Sequence, residues 1–97
     1  MWVISRARLR EFWFRHPDAE RRLRAWYQIV DTADWSDWGE LRQTFPSADS
    51  VGLLTVFNIG GNTYRLVARV EFEKRRVYVR RVITHAEYHA NDWKHDP

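Results

Sequence analysis

Cysteine is absent from the 97 residues, which removes disulfides and thiolate metal centres from consideration and fits a reducing compartment. Glycine and proline are scarce, at four and three residues, and no internal repeat, low-complexity tract or interdomain linker interrupts the chain. No window approaches the ~20 apolar residues that span a membrane. The opening run Met1-Trp2-Val3-Ile4 is far too short for a signal peptide and is followed at once by Arg6 and Arg8. A soluble, cytoplasmic protein with no membrane partner is the expectation.

What is present suits one compact domain over residues 1–97. A chain of this size buries only roughly 65% of its unfolded surface, so each large apolar residue counts. Six Trp, five Phe and four Tyr are many for that core, which leaves some available for recognition. The net charge of +3 is unevenly spread. Over residues 1–64 basic and acidic side chains cancel. Over 65–81, Arg65, Arg69, Lys74, Arg75, Arg76, Arg80 and Arg81 face only Glu71 and Glu73, a local +5. A cluster of this kind is the footprint of phosphate-backbone binding, and it is equally the pattern of a solvated sheet face.

Trp2-Val3-Ile4 reads as a short strand, and Ser5 as the N-cap of a helix reaching about His16 with Leu9, Phe12 and Trp13 inward. Pro17 suits the first turn of a second helix to about Ala33, with Leu23, Trp26, Tyr27 and Val30 on one face. Asp34 to Asp37 reads as a turn and cap, followed by a short helix to about Phe45 and a loop over Pro46 to Ser50. From Val51 the period becomes that of strands, at about 53–59, 63–72 and 76–83. Gly60-Gly61-Asn62 and Glu73-Lys74-Arg75 form the turns. In the middle strand Tyr64, Leu66, Ala68, Val70 and Phe72 share the face that the helices must cover. Arg65, Val67, Arg69 and Glu71 share the other, which is left partly open and basic. In the last strand Val77, Val79 and Ile83 match the covered face and Tyr78, Arg80 and Val82 the open one. Arg81 breaks that parity, which predicts a bulge or a place at the rim. Thr84-His85-Ala86-Glu87 has capping-box spacing and should start a short helix with His85 and Tyr88 one turn apart. The tail from Asn91 to Pro97 is polar apart from Trp93 and is expected to fray, with Trp2 and Trp93 free to meet a partner.

Arg65, Arg80, His85 and Tyr88 therefore converge at one end of the open face. RNA cleavage without metal needs a base for the 2′-hydroxyl, cations for the charge at phosphorus, and an acid for the leaving 5′-oxygen. Arginine binds phosphate oxygens bidentately, histidine titrates near neutrality, and tyrosine donates a hydrogen bond or stacks on an unpaired base. The same residues also fit a structural role, with Arg65 and Arg80 paired across strands to Glu71 or Glu73, and the residue pattern leaves both open. His85 and His89, four apart with Asp92 and His95 nearby, match a zinc-chelating spacing, but no third ligand is fixed, so no metal or other cofactor is expected. Gly60-Gly61 lacks the lysine and following helix of a phosphate-binding loop.

Val56-Phe57-Asn58-Ile59-Gly60-Gly61-Asn62-Thr63-Tyr64-Arg65-Leu66-Val67 resembles the signature of HigB-type toxins, in the RelE-like superfamily of ribosome-dependent mRNA interferases. Val77-Tyr78-Val79-Arg80, Thr84-His85-Ala86-Glu87-Tyr88 and Asp92-Trp93 continue the pattern. Upstream, His16-Pro17-Asp18-Ala19, Leu23-Arg24-Ala25-Trp26-Tyr27 and Phe45-Pro46-Ser47-Ala48-Asp49 do the same. The resemblance implies an α+β domain of the RelE-like type. Two to three N-terminal helices pack on one face of a small, mainly antiparallel sheet, and a short helix closes the chain. It implies metal-independent cleavage of mRNA in the ribosomal A site by 2′-hydroxyl attack, and a helix-turn-helix antitoxin (HigA-like) as partner. Arg65 matches a strand that carries an active-site arginine in RelE, and Arg80 is similar by strand position. His85 and Tyr88 stand where RelE-like toxins place basic and tyrosine catalytic groups. Arg69, Lys74, Arg75, Arg76 and Arg81 would then serve RNA binding. The rival expectation is a non-catalytic module that inhibits translation by occupying RNA or the ribosome.

Overall fold

The change to strand period near Val51 marks where the computed structural model, which describes residues 1–61, 63–90 and 92–95, passes from a helical layer into most of its sheet. The elements are β1 (Trp2–Ile4), α1 (Ala7–Arg15), a single 3-10 turn (Pro17–Ala19), α2 (Glu20–Thr32) and α3 (Trp38–Thr44). They continue with β2 (Asp49–Val51), β3 (Leu54–Ile59), β4 (Tyr64–Glu71), β5 (Arg76–Thr84), α4 (His85–Ala90) and a final 3-10 turn (Asp92–His95). The strand order is β1-β5-β4-β3-β2, with β1 parallel to β5 and the other neighbours antiparallel. This is the expected α+β arrangement, with helices on one face of a mainly antiparallel sheet.

The helical layer forms because α1 and α2 each carry one apolar stripe with no other place to bury it. Leu9 and Phe12 of α1 and Leu23, Trp26 and Val30 of α2 pack with Phe57, Ile59, Tyr64, Leu66, Ala68, Val77 and Val79 of the sheet. Each of the larger aliphatic and phenylalanine side chains among them contributes roughly 1.5–3 kcal/mol through burial. Asp37 caps α3 by accepting from the Glu40 amide at 2.9 Å.

Several expectations are corrected. Ser5 does not cap α1: it takes a left-handed φ of 69° to turn the chain out of β1, and Arg6 holds the cap position without a side-chain bond. The second helix is split, because Pro17 opens a 3-10 turn before α2 begins at Glu20. The segment expected as a loop ends in β2, which adds an edge strand beside β3. Of the glycine turn, Gly60 and Gly61 have the expected positive φ of 64° and 68°, and Asn62 lies outside the described residues.

The parity of β5 is also corrected, by the bulge that Arg81 foretold. Arg80 is skipped in the register with β4, between Val79 opposite Ala68 and Arg81 opposite Val67. One extra residue reverses the alternation. Beyond the bulge Val82 packs with the helical core, while Ile83 lies opposite Arg65 and joins a second cluster on the far face. The bulged Arg80 carbonyl accepts from Nη1 of Arg8 on α1 at 2.6 Å, so the kink is tied to the helical layer.

That second cluster contains Leu54, Val56, Val67, Ile83 and Trp93, with Val51 and Tyr88 against it. Trp93 is 2% exposed, so it does not face a partner; Asp92–His95 form a 3-10 turn, and Asn91, Asp96 and Pro97 of the tail expected to fray lie outside the described residues. The open face is therefore sealed at its β3 side by Trp93. An indole placed over four apolar side chains gains more from burial than a short polar turn loses in entropy.

Candidate functional site

The site is built where α4 meets β4 and β5. Thr84 and Glu87 form the expected capping box: Glu87 Oε1 accepts from the Thr84 amide at 3.1 Å, and the Glu87 amide donates to Thr84 Oγ1 at 3.2 Å. This box starts α4 directly after β5 and sets Tyr88 one turn in. The Tyr88 ring stacks on Trp93, with centroids 5.1 Å apart and planes at 15°. Trp93 Nε1 donates to the Tyr88 carbonyl at 2.8 Å, so the indole anchors both the ring and the backbone of α4.

Arg65 reaches the same ring from β4, with Cζ 5.1 Å from the Tyr88 centroid. It is one of two buried polar or charged residues among those described, at 8% exposure. Burying a guanidinium is costly unless its donors are satisfied. Nη1 donates to the Gly61 carbonyl at 3.3 Å and to the Tyr64 carbonyl at 3.2 Å. The cation–π contact adds roughly 0.5–2 kcal/mol. The expected pairing with Glu71 or Glu73 gives way to these carbonyls, and Glu71 pairs with Lys74 at 3.6 Å. A permanent positive charge is thereby fixed at the junction of β4 and α4.

His85 and His89 lie on the exposed side of α4, with their Nε2 atoms 3.0 Å apart and ring planes at 78°. One nitrogen must donate and the other accept. His89 also meets the Tyr88 ring edge-on at 5.8 Å. Arg80 and Arg81 are half-buried at the bulge, and the register sets Arg81 on the Arg65 face opposite Val67. Among the described residues no group of three or more His, Cys, Asp or Glu could hold a metal ion.

The remaining basic residues divide from this cluster. Arg69 is exposed on the open face opposite Tyr78. Lys74, Arg75 and Arg76 lie at the other end of the strands, roughly 20 Å from Arg65 at about 3.3 Å per residue. Arg75 is engaged in holding the fold. It pairs with Asp34 at 2.7 Å and donates to the Phe72 carbonyl at 2.6 Å and the Trp35 carbonyl at 3.3 Å, tying the β4–β5 turn to the loop before α3. Arg76 donates to the Tyr78 hydroxyl at 3.3 Å and lies 5.8 Å over Trp2, which is 66% exposed.

On the helical side, the Tyr64 hydroxyl donates to Asp18, 2.9 and 2.8 Å from its two carboxylate oxygens. This bond raises the Tyr64 pKa above its ordinary value, with burial and the Asp18 charge adding to the effect. Tyr64 also packs edge-on against Phe12 and His16.

Sequence reasoning did not find Trp93 as the floor of Tyr88, nor the contact between His85 and His89. A lone tryptophan in a polar tail was the available signal for the first, and the four-residue histidine spacing for the second.

The family profile described as "HigB_toxin, RelE-like toxic component of a toxin-antitoxin system" matches residues 19–91. The chain is 31% identical over 91 residues to "mRNA interferase HigB" of Escherichia coli O6:H1 strain CFT073, covering 91% of this chain and 88% of that protein. It is 34% identical over 91 residues, with the same coverage of 91% and 88%, to "mRNA interferase toxin HigB" of Escherichia coli strain K12. The same figures hold for "mRNA interferase HigB" of Shigella flexneri.

Proposed function

The chain belongs to the HigB toxin family, the RelE-like toxic components of toxin-antitoxin systems, and on that premise we propose that it is an endoribonuclease that cuts mRNA on the ribosome. The observation that carries the reading from family to site is the Arg65–Tyr88 contact at 5.1 Å, with His85 one turn before Tyr88 on α4. A fixed cation and a held phenol meet on the face opposite the helical layer, and the helix that carries the phenol also carries the imidazole of His85.

In this reading the 2′-hydroxyl oxygen of one nucleotide attacks the adjacent phosphorus. The bond to the 5′-oxygen breaks, leaving a 2′,3′-cyclic phosphate and a 5′-hydroxyl end. Arg65 and Arg80 stabilise the charge that builds on the phosphoryl oxygens, since guanidinium stays charged at any working pH. His85 carries a proton for attack or departure. Tyr88, held by Trp93 and Arg65, positions the nucleotide. Arg69, Lys74, Arg75, Arg76 and Arg81 contribute positive field along the sheet, with Arg75 the most committed to the fold. The substrate is mRNA in the ribosomal A site, the place of action the cytoplasm, and the neutralising partner a helix-turn-helix antitoxin of HigA type. Membership of a family of toxic components of toxin-antitoxin systems supports an antitoxin partner.

Primer extension on mRNA engaged by translating ribosomes tests the reading. New 5′ ends within codons, lost with Arg65→Ala and with His85→Ala, are the expected result. Arrested translation with intact mRNA would instead make the chain an occupancy inhibitor.

A further inference from the structure

The histidine pair on α4 has a geometry that proton transfer by His85 alone does not require. His85 and His89 are both exposed, lie four residues apart on one helix, and bring their Nε2 atoms to 3.0 Å. We propose that the pair is a two-nitrogen chelate for a divalent transition-metal ion of square-planar or octahedral preference, Cu²⁺ or Ni²⁺, and that occupation of it blocks RNA cleavage. The second half rests on the role given to His85 above.

The spacing suits a chelate. With metal–nitrogen bonds of about 2.05 Å, a 3.0 Å separation subtends an angle of roughly 94° at the metal. That is the angle between neighbouring positions of a square-planar or octahedral ion. A tetrahedral zinc needs the two nitrogens about 3.3 Å apart, which a small turn of two exposed rings supplies, so the choice of ion rests on affinity. The affinity order of divalent ions for nitrogen sites gives the preference for Cu²⁺ and Ni²⁺ over zinc. The backbone beneath is already fixed at both ends, by the Thr84–Glu87 box and by the Trp93 bond to the Tyr88 carbonyl. Chelation therefore has only the two rings to order. Among the described residues the two imidazoles are not joined by a third ligand, so the proposal rests on the pair alone.

The consequence for chemistry is direct. At present one Nε2 carries a proton and the other accepts it. Chelation moves that proton to the ring's Nδ1 and commits both Nε2 lone pairs to the metal, so His85 can neither take nor give a proton at Nε2. The added charge lies on the nucleotide-facing helix without being part of the reaction.

The test uses the full, untagged chain and the metal salts alone. Calorimetric titration with NiCl₂ and CuCl₂ should show one ion per chain for the wild type and for His16→Gln. His89→Gln should bind at least tenfold more weakly. The cleavage rate of each protein, divided by its own metal-free rate, should fall tenfold or more for wild type at saturating Ni²⁺, recover with chelator, and stay level for His89→Gln. Equal affinity in wild type and His89→Gln overturns the chelate. A saturated wild type that cleaves at full rate overturns the blockage. A wild-type rate for His85→Ala removes the functional reading and the blockage together, while calorimetry still decides the chelate.

Discussion

The Arg65 guanidinium lies over the Tyr88 ring, 5.1 Å from its centroid, and so joins the middle strand of the sheet to the helix that follows the last one. The contact makes the position of each residue depend on the other. Arg65→Lys keeps a charge but loses the planar fork and the stacking, so it should behave nearly as Arg65→Ala. Both are expected to lose at least about 100-fold in cleavage rate, the scale for removing one charge-stabilising donor. Cleavage assays beside thermal melts check this. Activity within twofold for Arg65→Lys would remove the fork from the mechanism.

Trp93 is both core and support. Trp93→Ala should cost about 3–5 kcal/mol, the range for emptying a buried aromatic site, and should leave Tyr88 without its stacking partner. Trp93→Phe fills part of the volume but cannot donate to the Tyr88 carbonyl. It should fall between the two in denaturant midpoint and in activity. A Trp93→Phe protein as active as wild type would show that packing alone holds Tyr88.

The Tyr64–Asp18 bond gives a pH signature. Because the Tyr64 pKa is raised in the folded chain, the bond's contribution is whole below the ordinary tyrosine value of about 10 and is lost as pH climbs through the raised one. Tyr64→Phe should therefore be less stable than wild type by roughly 1 kcal/mol at pH 7, and the difference should narrow in alkaline solution. Urea denaturation of both proteins at neutral and alkaline pH measures it. A gap that widens with pH would reverse the sign.

Arg69 and Arg75 should separate binding from stability. Arg69→Ala should leave the melting temperature unchanged while lowering affinity for single-stranded RNA and reducing the salt slope by about 0.7. Arg75→Ala breaks the ties to Asp34, Trp35 and Phe72, and should lower stability by about 1 kcal/mol. Filter binding across salt concentrations and thermal melts distinguish the two. The opposite pattern would exchange their roles.

Most of the architecture was legible because period and punctuation agree. The stripes of α1 and α2, the alternation of β4 from Tyr64 to Phe72 and the capping box at Thr84 each name their element locally. The capping box also fixed the relation of His85 to Tyr88 in advance. What escaped depends on contacts distant in sequence. Asp49 to Val51 has little strand character of its own and becomes β2 by pairing with β3. Trp93 looked unpartnered because its floor comes from Leu54, Val56, Val67 and Ile83 on three strands. Arg81 signalled the bulge, but alternation alone could not tell that Ile83 and Val82 exchange faces. The 3.0 Å approach of His85 and His89 is a matter of rotamer, which spacing permits without requiring.

The extra residue at Arg80 gives β5 two phases, one locked to the helical core through Val77 and Val79, the other to the far face through Arg81 and Ile83. The ladder therefore has slack at this point. Removing Arg80 would leave Val79, Arg81, Val82 and Ile83 consecutive opposite Ala68, Val67, Leu66 and Arg65, with Val82 still toward the helical core and Ile83 still under Trp93. What would go is the kink, together with the carbonyl that Arg8 holds. A residue removed from the regular part of the strand would instead move every side chain beyond it to the other face.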